Sequence, residues 1–212
     1  MVITSITEVN KQRSRISLET EESYVLYKGE IRMLKLKEGQ ELSEEDYDKI
    51  MRGILPKRCK MRAMNLLKER RYTSYGLKKK LLDGGYPEEI CDEAIRYVSS
   101  YGYVNDFAYA MDYIKEQEES RSIREIKQKL MSKGIQNVII DQALKELGKE
   151  REEYNEESQK EIEERLIIKT LEKRNFSVDS SYEDKQKLLA YFYRRGFDID
   201  SVKKAMDRFS QD

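Results

Sequence analysis

The 212-residue chain has no histidine and no tryptophan, and only two prolines, two cysteines and ten glycines. Without histidine, the commonest general base and the commonest zinc ligand are missing, which removes most hydrolase and metal-site chemistries. No G-x-x-x-x-G-K-[ST], G-x-G-x-x-G or G-x-S-x-G run occurs, so neither a phosphate cradle nor a nucleophile elbow can be assigned. Carboxylates and lysines are plentiful, but nothing sets two of them apart as an acid–base pair. No catalytic residue, cofactor or metal is therefore expected. Cys59 and Cys91 stand far apart with no C-x-x-C, the pattern of two reduced thiols in the cytoplasm. No stretch approaches the ~18 apolar residues of a membrane span, and the start MVITSITEVNKQRSR lacks the apolar core of a signal peptide. Scarce proline and glycine favour long helices over a many-turned β protein.

What is abundant is charge. Charged residues make up 39% of the chain and apolar residues 38%, which suits helices with narrow apolar stripes and broad solvated faces. The 41 basic and 41 acidic residues cancel, yet they are unevenly placed. From Lys57 to Leu82 ten Lys or Arg face one acid, Glu69, whereas residues 150–164 hold eight glutamates against Arg151 and Lys160. Such polarity suggests one surface that meets an anion and another that meets a base. The acidic run reads as a solvated helix face, with repulsion of a polyanion as its sharper alternative.

The first forty residues differ from the rest. SRISLE (14–19) alternates polar and apolar side chains, and YVLYKGEIRMLKL (24–36) is β-branched and aromatic with Lys28-Gly29-Glu30 interrupting it. A small antiparallel ribbon is expected over 1–40, with Glu21-Glu22-Ser23 at a turn. Ser43, followed by Asp46, opens a short helix that ends near Ile54 before Pro56, giving a connecting segment over 41–56.

From Lys57 the pattern is helical and repeats. Aligned on Gly85, Gly134 and Gly196, three segments place Leu81, Leu130 and Phe192 four residues before the glycine, and Leu77, Ile126 and Leu188 eight before. After it come Tyr86, Ile135 and Phe197, then Ala94, Ala143 and Ala205 nine on, Ile95, Leu144 and Met206 ten on, and Val98, Leu147 and Phe209 thirteen on. This is a tandem repeat spaced by 49 and 62 residues. In each copy the glycine supplies the left-handed residue that ends one helix, and the apolar residue after it staples into the next. N-caps are expected at Thr73 or Ser74, at Ser122 with Glu125, and at Ser180 with Glu183. Another helical stretch precedes each pair. The predicted fold is mainly α: three three-helix repeats, over 57–104, 105–149 and 150–212, behind the β ribbon and the short helix.

Two features could carry function. YGYVND (101–106) reads as a capped joint between the first two repeats: Gly102 ends a helix, Asn105 caps the next, Val104 and Tyr109 form a staple, and Tyr103 and Tyr109 are packed with their hydroxyls at the surface. The basic run is interleaved with some of the 15 tyrosines, the combination used against nucleic acid or an acidic protein groove. The candidate contacts are Lys57, Arg58, Lys60, Arg62, Arg70, Arg71, Tyr72, Lys78, Lys79 and Lys80.

AMNLLKERRYTSYGL (63–77), Leu81 to Ile90 with Gly85, GYVNDFAYA (102–110) and SIREIKQKLMSKGI (122–135) resemble the RecX family of bacterial regulatory proteins. Arg71-Tyr72-Thr73 and the Gly102–Asp106 junction carry the likeness best; Val104 and Asn105 are mild departures that keep the staple and cap roles. The resemblance covers residues 10 to 212 and is only architectural in the last copy. It implies an array of helical repeats that binds in the groove of the RecA nucleoprotein filament and modulates RecA, usually by inhibiting its ATP hydrolysis, strand exchange and coprotease function, with direct DNA binding in some members. It supplies no catalytic residues and no mapped contact residues. A monomeric, cytoplasmic regulator with the RecA filament as partner is the expectation; a stand-alone DNA-binding protein and a scaffold for another protein are the rivals.

Overall fold

A computed structural model describes residues 1–150, 156–177 and 179–209. The chain divides into two compact units, Met1–Asn105 and Asp106–Asp212. The first opens with a three-stranded antiparallel sheet in the order β1 (Ile3–Asn10), β2 (Arg13–Leu18), β3 (Ser23–Tyr27). Helix α1 (Lys28–Met33) follows, then α2 (Glu44–Asp48), a π-helical segment (Lys49–Ile54), α3 (Leu55–Glu69), α4 (Ser74–Asp83) and α5 (Glu88–Ser100). The second unit holds α6 (Asp106–Gln117), α7 (Ile123–Ser132), α8 (Asn137–Glu150), α9 (Glu156–Lys173), α10 (Tyr182–Arg194) and α11 (Ile199–Phe209).

The repeat register is the framework of the core. Leu81, Leu130 and Phe192 are fully buried, as are Ala94, Ala143 and Ala205. Gly85, Gly134 and Gly196 have φ of 83°, 82° and 81°. At each, the residue after the glycine donates its N–H to a carbonyl five residues back (Tyr86 to Leu81, Ile135 to Leu130, Phe197 to Phe192), while the glycine N–H bonds Leu82, Met131 or Tyr193. Three copies of one Schellman turn thus end α4, α7 and α10. The second and third repeats each close their own apolar cluster, and every fully buried leucine contributes about 1.5–3 kcal/mol.

One hydrophobic core runs across the ribbon, the connecting helix and the first repeat: Ile16, Tyr24 and Leu26 pack with Leu55, Cys59, Leu77 and Val98. Gly85 is the joint. The Val25 N–H donates to its carbonyl at 3.1 Å, so the edge of β3 is capped by the turn after α4.

Several local expectations are corrected. The segment Lys28–Met33 is helical, not extended, because Glu30 accepts the Tyr27 N–H at 2.7 Å and starts a helical turn. Strand β1, unforeseen, pairs along β2 from Ile3 to Asn10. The connecting helix does not stop before Pro56: the backbone stays helical from Glu44 to Glu69, with Pro56 in the first turn of α3. Proline lacks an N–H and crowds the carbonyl four residues back, and the wider π turn just before it absorbs both. The cap of α10 is Ser181, whose Oγ accepts from the Asp184 N–H at 3.2 Å; Ser180 instead accepts from Ser177. Thr73 and Ser122 cap α4 and α7.

Candidate functional site

The basic run does not form a single surface. Positions 57, 58, 60 and 62 of α3 fan round the helix, since five residues correspond to about 140°. Arg58 is committed internally: its guanidinium meets Glu30 at 2.7 Å and lies 4.2 Å from the Tyr27 ring and 5.8 Å from that of Tyr86. It pins α3 to the ribbon and α1. Lys78 bridges Glu88 at 2.8 Å and Asp92 at 2.7 Å, joining α4 to α5, and the hydrogen bonds it donates to Asp92 and then Glu88 raise its pKa above the usual lysine range. Lys60 pairs with Glu93 at 2.6 Å and lies over the Tyr97 ring. Arg70 stacks on the half-buried Tyr72 at 4.6 Å, and Lys57, Arg62, Arg71, Lys79 and Lys80 are exposed.

On α4, Tyr75, Lys79 and Leu82 recur at helical spacing and face solvent, Tyr75 at 54% and Leu82 at 41% exposure. Leu82 stands three residues before its glycine. The same register position holds Met131, 48% exposed, and Tyr193, 62% exposed. Each repeat therefore shows solvent one large apolar side chain on the last turn of its second helix, among basic neighbours: Lys79 and Lys80, Lys129 and Lys133, Arg194. Sequence reasoning missed this set. The available signal was a large apolar residue on the polar side of three equivalent helices.

The tyrosine-rich joint is also altered. Gly102 takes a φ of 73° and the Tyr103 N–H donates to the Val98 carbonyl at 3.0 Å, so the helix-ending role holds. Val104 is buried in the first unit and Tyr109 packs on the core of the second. Tyr103, expected to be packed, is exposed. Its ring stacks on that of Tyr101, which is itself exposed, and so stays in solvent.

In the second unit, α7 meets the end of α10. Ser122, fully buried, accepts from the Glu125 N–H at 3.1 Å and donates to the Arg195 carbonyl at 2.5 Å. The Arg195 guanidinium reaches the Ser120 carbonyl at 2.8 Å, the Tyr191 hydroxyl at 2.8 Å and Glu125 at 3.4 Å. Glu163 accepts from the Ile123 N–H, and its burial pushes the carboxyl above the usual range. Residues 151–155 of the acidic run lie outside the described residues. Among the described residues no cluster of three metal-ligating side chains occurs, and no helix is long and apolar enough to cross a membrane.

Residues 59–97 match the family model described as "RecX, first three-helix domain", and residues 161–206 that for "RecX, third three-helix domain". The chain is 32% identical over 176 residues to "Regulatory protein RecX" of Caldanaerobacter subterraneus, covering 82% of each chain. It is 25% identical to the Clostridioides difficile protein of the same name, over 98% of this chain and 95% of that one. A solved structure of a regulatory protein RecX has a TM-score of 0.59 at 23% identity, covering 97% of this chain and 98% of the other, and that of RecX from Lactobacillus salivarius has 0.56, also at 23%, covering 73% and 96%. These similarities run through the repeats, and the chain belongs to the RecX family of regulatory proteins.

Proposed function

We propose that this chain binds the RecA nucleoprotein filament in the cytoplasm and restrains RecA's ATP hydrolysis, strand exchange and coprotease activity, with no catalysis of its own. Family membership carries this reading: 32% identity over 82% of both chains. The surface supports it. A filament presents the same protein surface again and again, and Leu82, Met131 and Tyr193 present one exposed apolar side chain per repeat among cations. Apolar anchors within a polar rim are the usual energetic centres of protein contacts.

The experiment is single-strand-dependent ATP hydrolysis by RecA, titrated with this protein. Hydrolysis falls at substoichiometric ratios on this reading, and unchanged hydrolysis at saturation removes it. Binding to DNA alone is a second reading, favoured by the exposed Lys57, Arg62, Lys79 and Lys80. It requires an affinity that falls steeply with salt in the absence of RecA.

A further inference from the structure

We propose that Tyr97, Tyr101 and Tyr103 form a stacking platform for the bases of single-stranded nucleic acid. The proposal rests on the second reading, direct binding to DNA, and assigns that contact a site away from the exposed lysines of α3 and α4.

Tyr101 and Tyr103 are 62% and 59% exposed, and Tyr97 is 37% exposed. Their rings form a short ladder: Tyr97 meets Tyr101 edge-on with centroids 5.1 Å apart, and Tyr101 lies 6.1 Å from Tyr103 with the planes only 21° apart. The arrangement is fixed by the backbone. Gly102, at a φ of 73°, turns the chain at the end of α5, the Tyr103 N–H is tied to the Val98 carbonyl, and buried Val104 anchors the far side. Two large rings are thus held side by side in solvent at a place where a joint needs only glycine and a cap. Short polar residues would make the same turn without exposing apolar area.

The electrostatics select the ligand. Lys60 Nζ sits 5.2 Å from the Tyr97 ring centre, and Arg96, the residue before Tyr97 in α5, is exposed. From Ala94 to Val104 the only charged side chain is Arg96, and the adjacent carboxylate, Glu93, is paired with Lys60. With Lys60 and Glu93 cancelling each other, the exposed Arg96 leaves this stretch net positive, and the near-parallel exposed rings of Tyr101 and Tyr103 beside such a charge are what a flexible strand of bases and phosphates uses: bases stack on rings, and phosphates gain the positive field. A duplex keeps its bases stacked internally and offers the rings nothing equivalent.

The test uses the full chain without RecA and a labelled oligo(dT) in fluorescence anisotropy. The double variant Tyr101→Ala/Tyr103→Ala binds at least about tenfold more weakly, since stacking contributes about 1–3 kcal/mol per base and 1.4 kcal/mol is tenfold. Tyr101→Phe/Tyr103→Phe stays within about twofold of wild type, because the ring remains. The slope of log Kd against log salt is the same in wild type and both variants, as no cation has been removed. Duplex affinity is equal in all three proteins. The proposal is overturned if the alanine variant binds oligo(dT) as wild type does, if phenylalanine costs as much as alanine, or if wild type has no measurable affinity at low salt. It is overturned equally if the alanine variant loses affinity only for a protein partner. Failure of the filament reading is seen separately, in RecA ATP hydrolysis.

Discussion

Val25 and Gly85 are in direct backbone contact: the Val25 N–H donates to the Gly85 carbonyl at 3.1 Å, and a Cβ on Gly85 would fall 2.2 Å from Val25 Cγ2. One glycine meets two demands, a left-handed φ and the absence of a side chain. Gly85→Ala is therefore expected to destabilise the protein by about 2–5 kcal/mol, combining left-handed strain of about 1–2 with overpacking of about 1–3. Gly102→Ala, with a φ of 73° and no atom within 4 Å of a built Cβ, loses only the first part, about 1–2 kcal/mol. Urea midpoints of the two variants check this, and equal losses would refute the close approach.

Ser122 caps α7 and also donates to the Arg195 carbonyl. Ser122→Ala leaves a helix-end N–H and that carbonyl without this partner in a buried place. A cap alone is worth about 1 kcal/mol, and the stranded carbonyl adds about 1–3. Ser181→Ala removes only an exposed cap and is expected to cost less than half as much in thermal or chemical unfolding.

Glu163 gives a pH prediction. Burial raises its folded pKa above the ordinary 4.5, so the folded state holds its proton more tightly than the unfolded chain. Its favourable contribution is complete below the unfolded pKa and is lost as pH rises through the folded pKa. Glu163→Gln, which still accepts from Ile123, is expected to raise Tm at pH 7 and to match wild type near pH 4. A difference that does not narrow on acidification would contradict this sign.

Leu82, Met131 and Tyr193 are exposed, so replacing all three with serine is expected to leave Tm within a few degrees. The triple variant is expected to need at least about tenfold more protein for half-maximal inhibition of RecA ATP hydrolysis, the loss of about 1.4 kcal/mol of contact. Single variants should show smaller, graded losses.

The repeats could be read from sequence because their signal is local: the glycine, the apolar residues four and eight before it and the alanine nine after it lie within one hairpin of helices. The ribbon was harder. EIRM looks extended by residue type, and only the return of Glu30 to the Tyr27 N–H makes it helical. Pro56 looked like a stop because a π turn leaves no mark in composition. For the surface, counting cations could not foresee that Arg58 would meet Glu30, 28 residues earlier, or that Lys78 would meet Glu88 and Asp92. Exposure of Tyr103 was hidden for the same reason, since stacking on Tyr101 is a tertiary choice that a cap-and-staple pattern does not encode.

The Schellman turn has a consequence beyond ending helices. At Leu82, Met131 and Tyr193 the turn takes the main-chain carbonyl, which accepts the glycine N–H, and the residue stays 41%, 48% and 62% exposed. The turn itself does not select the side chain there, as the aliphatic, thioether and phenolic occupants illustrate. Such a chain can retune its grip on a partner one repeat at a time by point substitution, without renegotiating its stability.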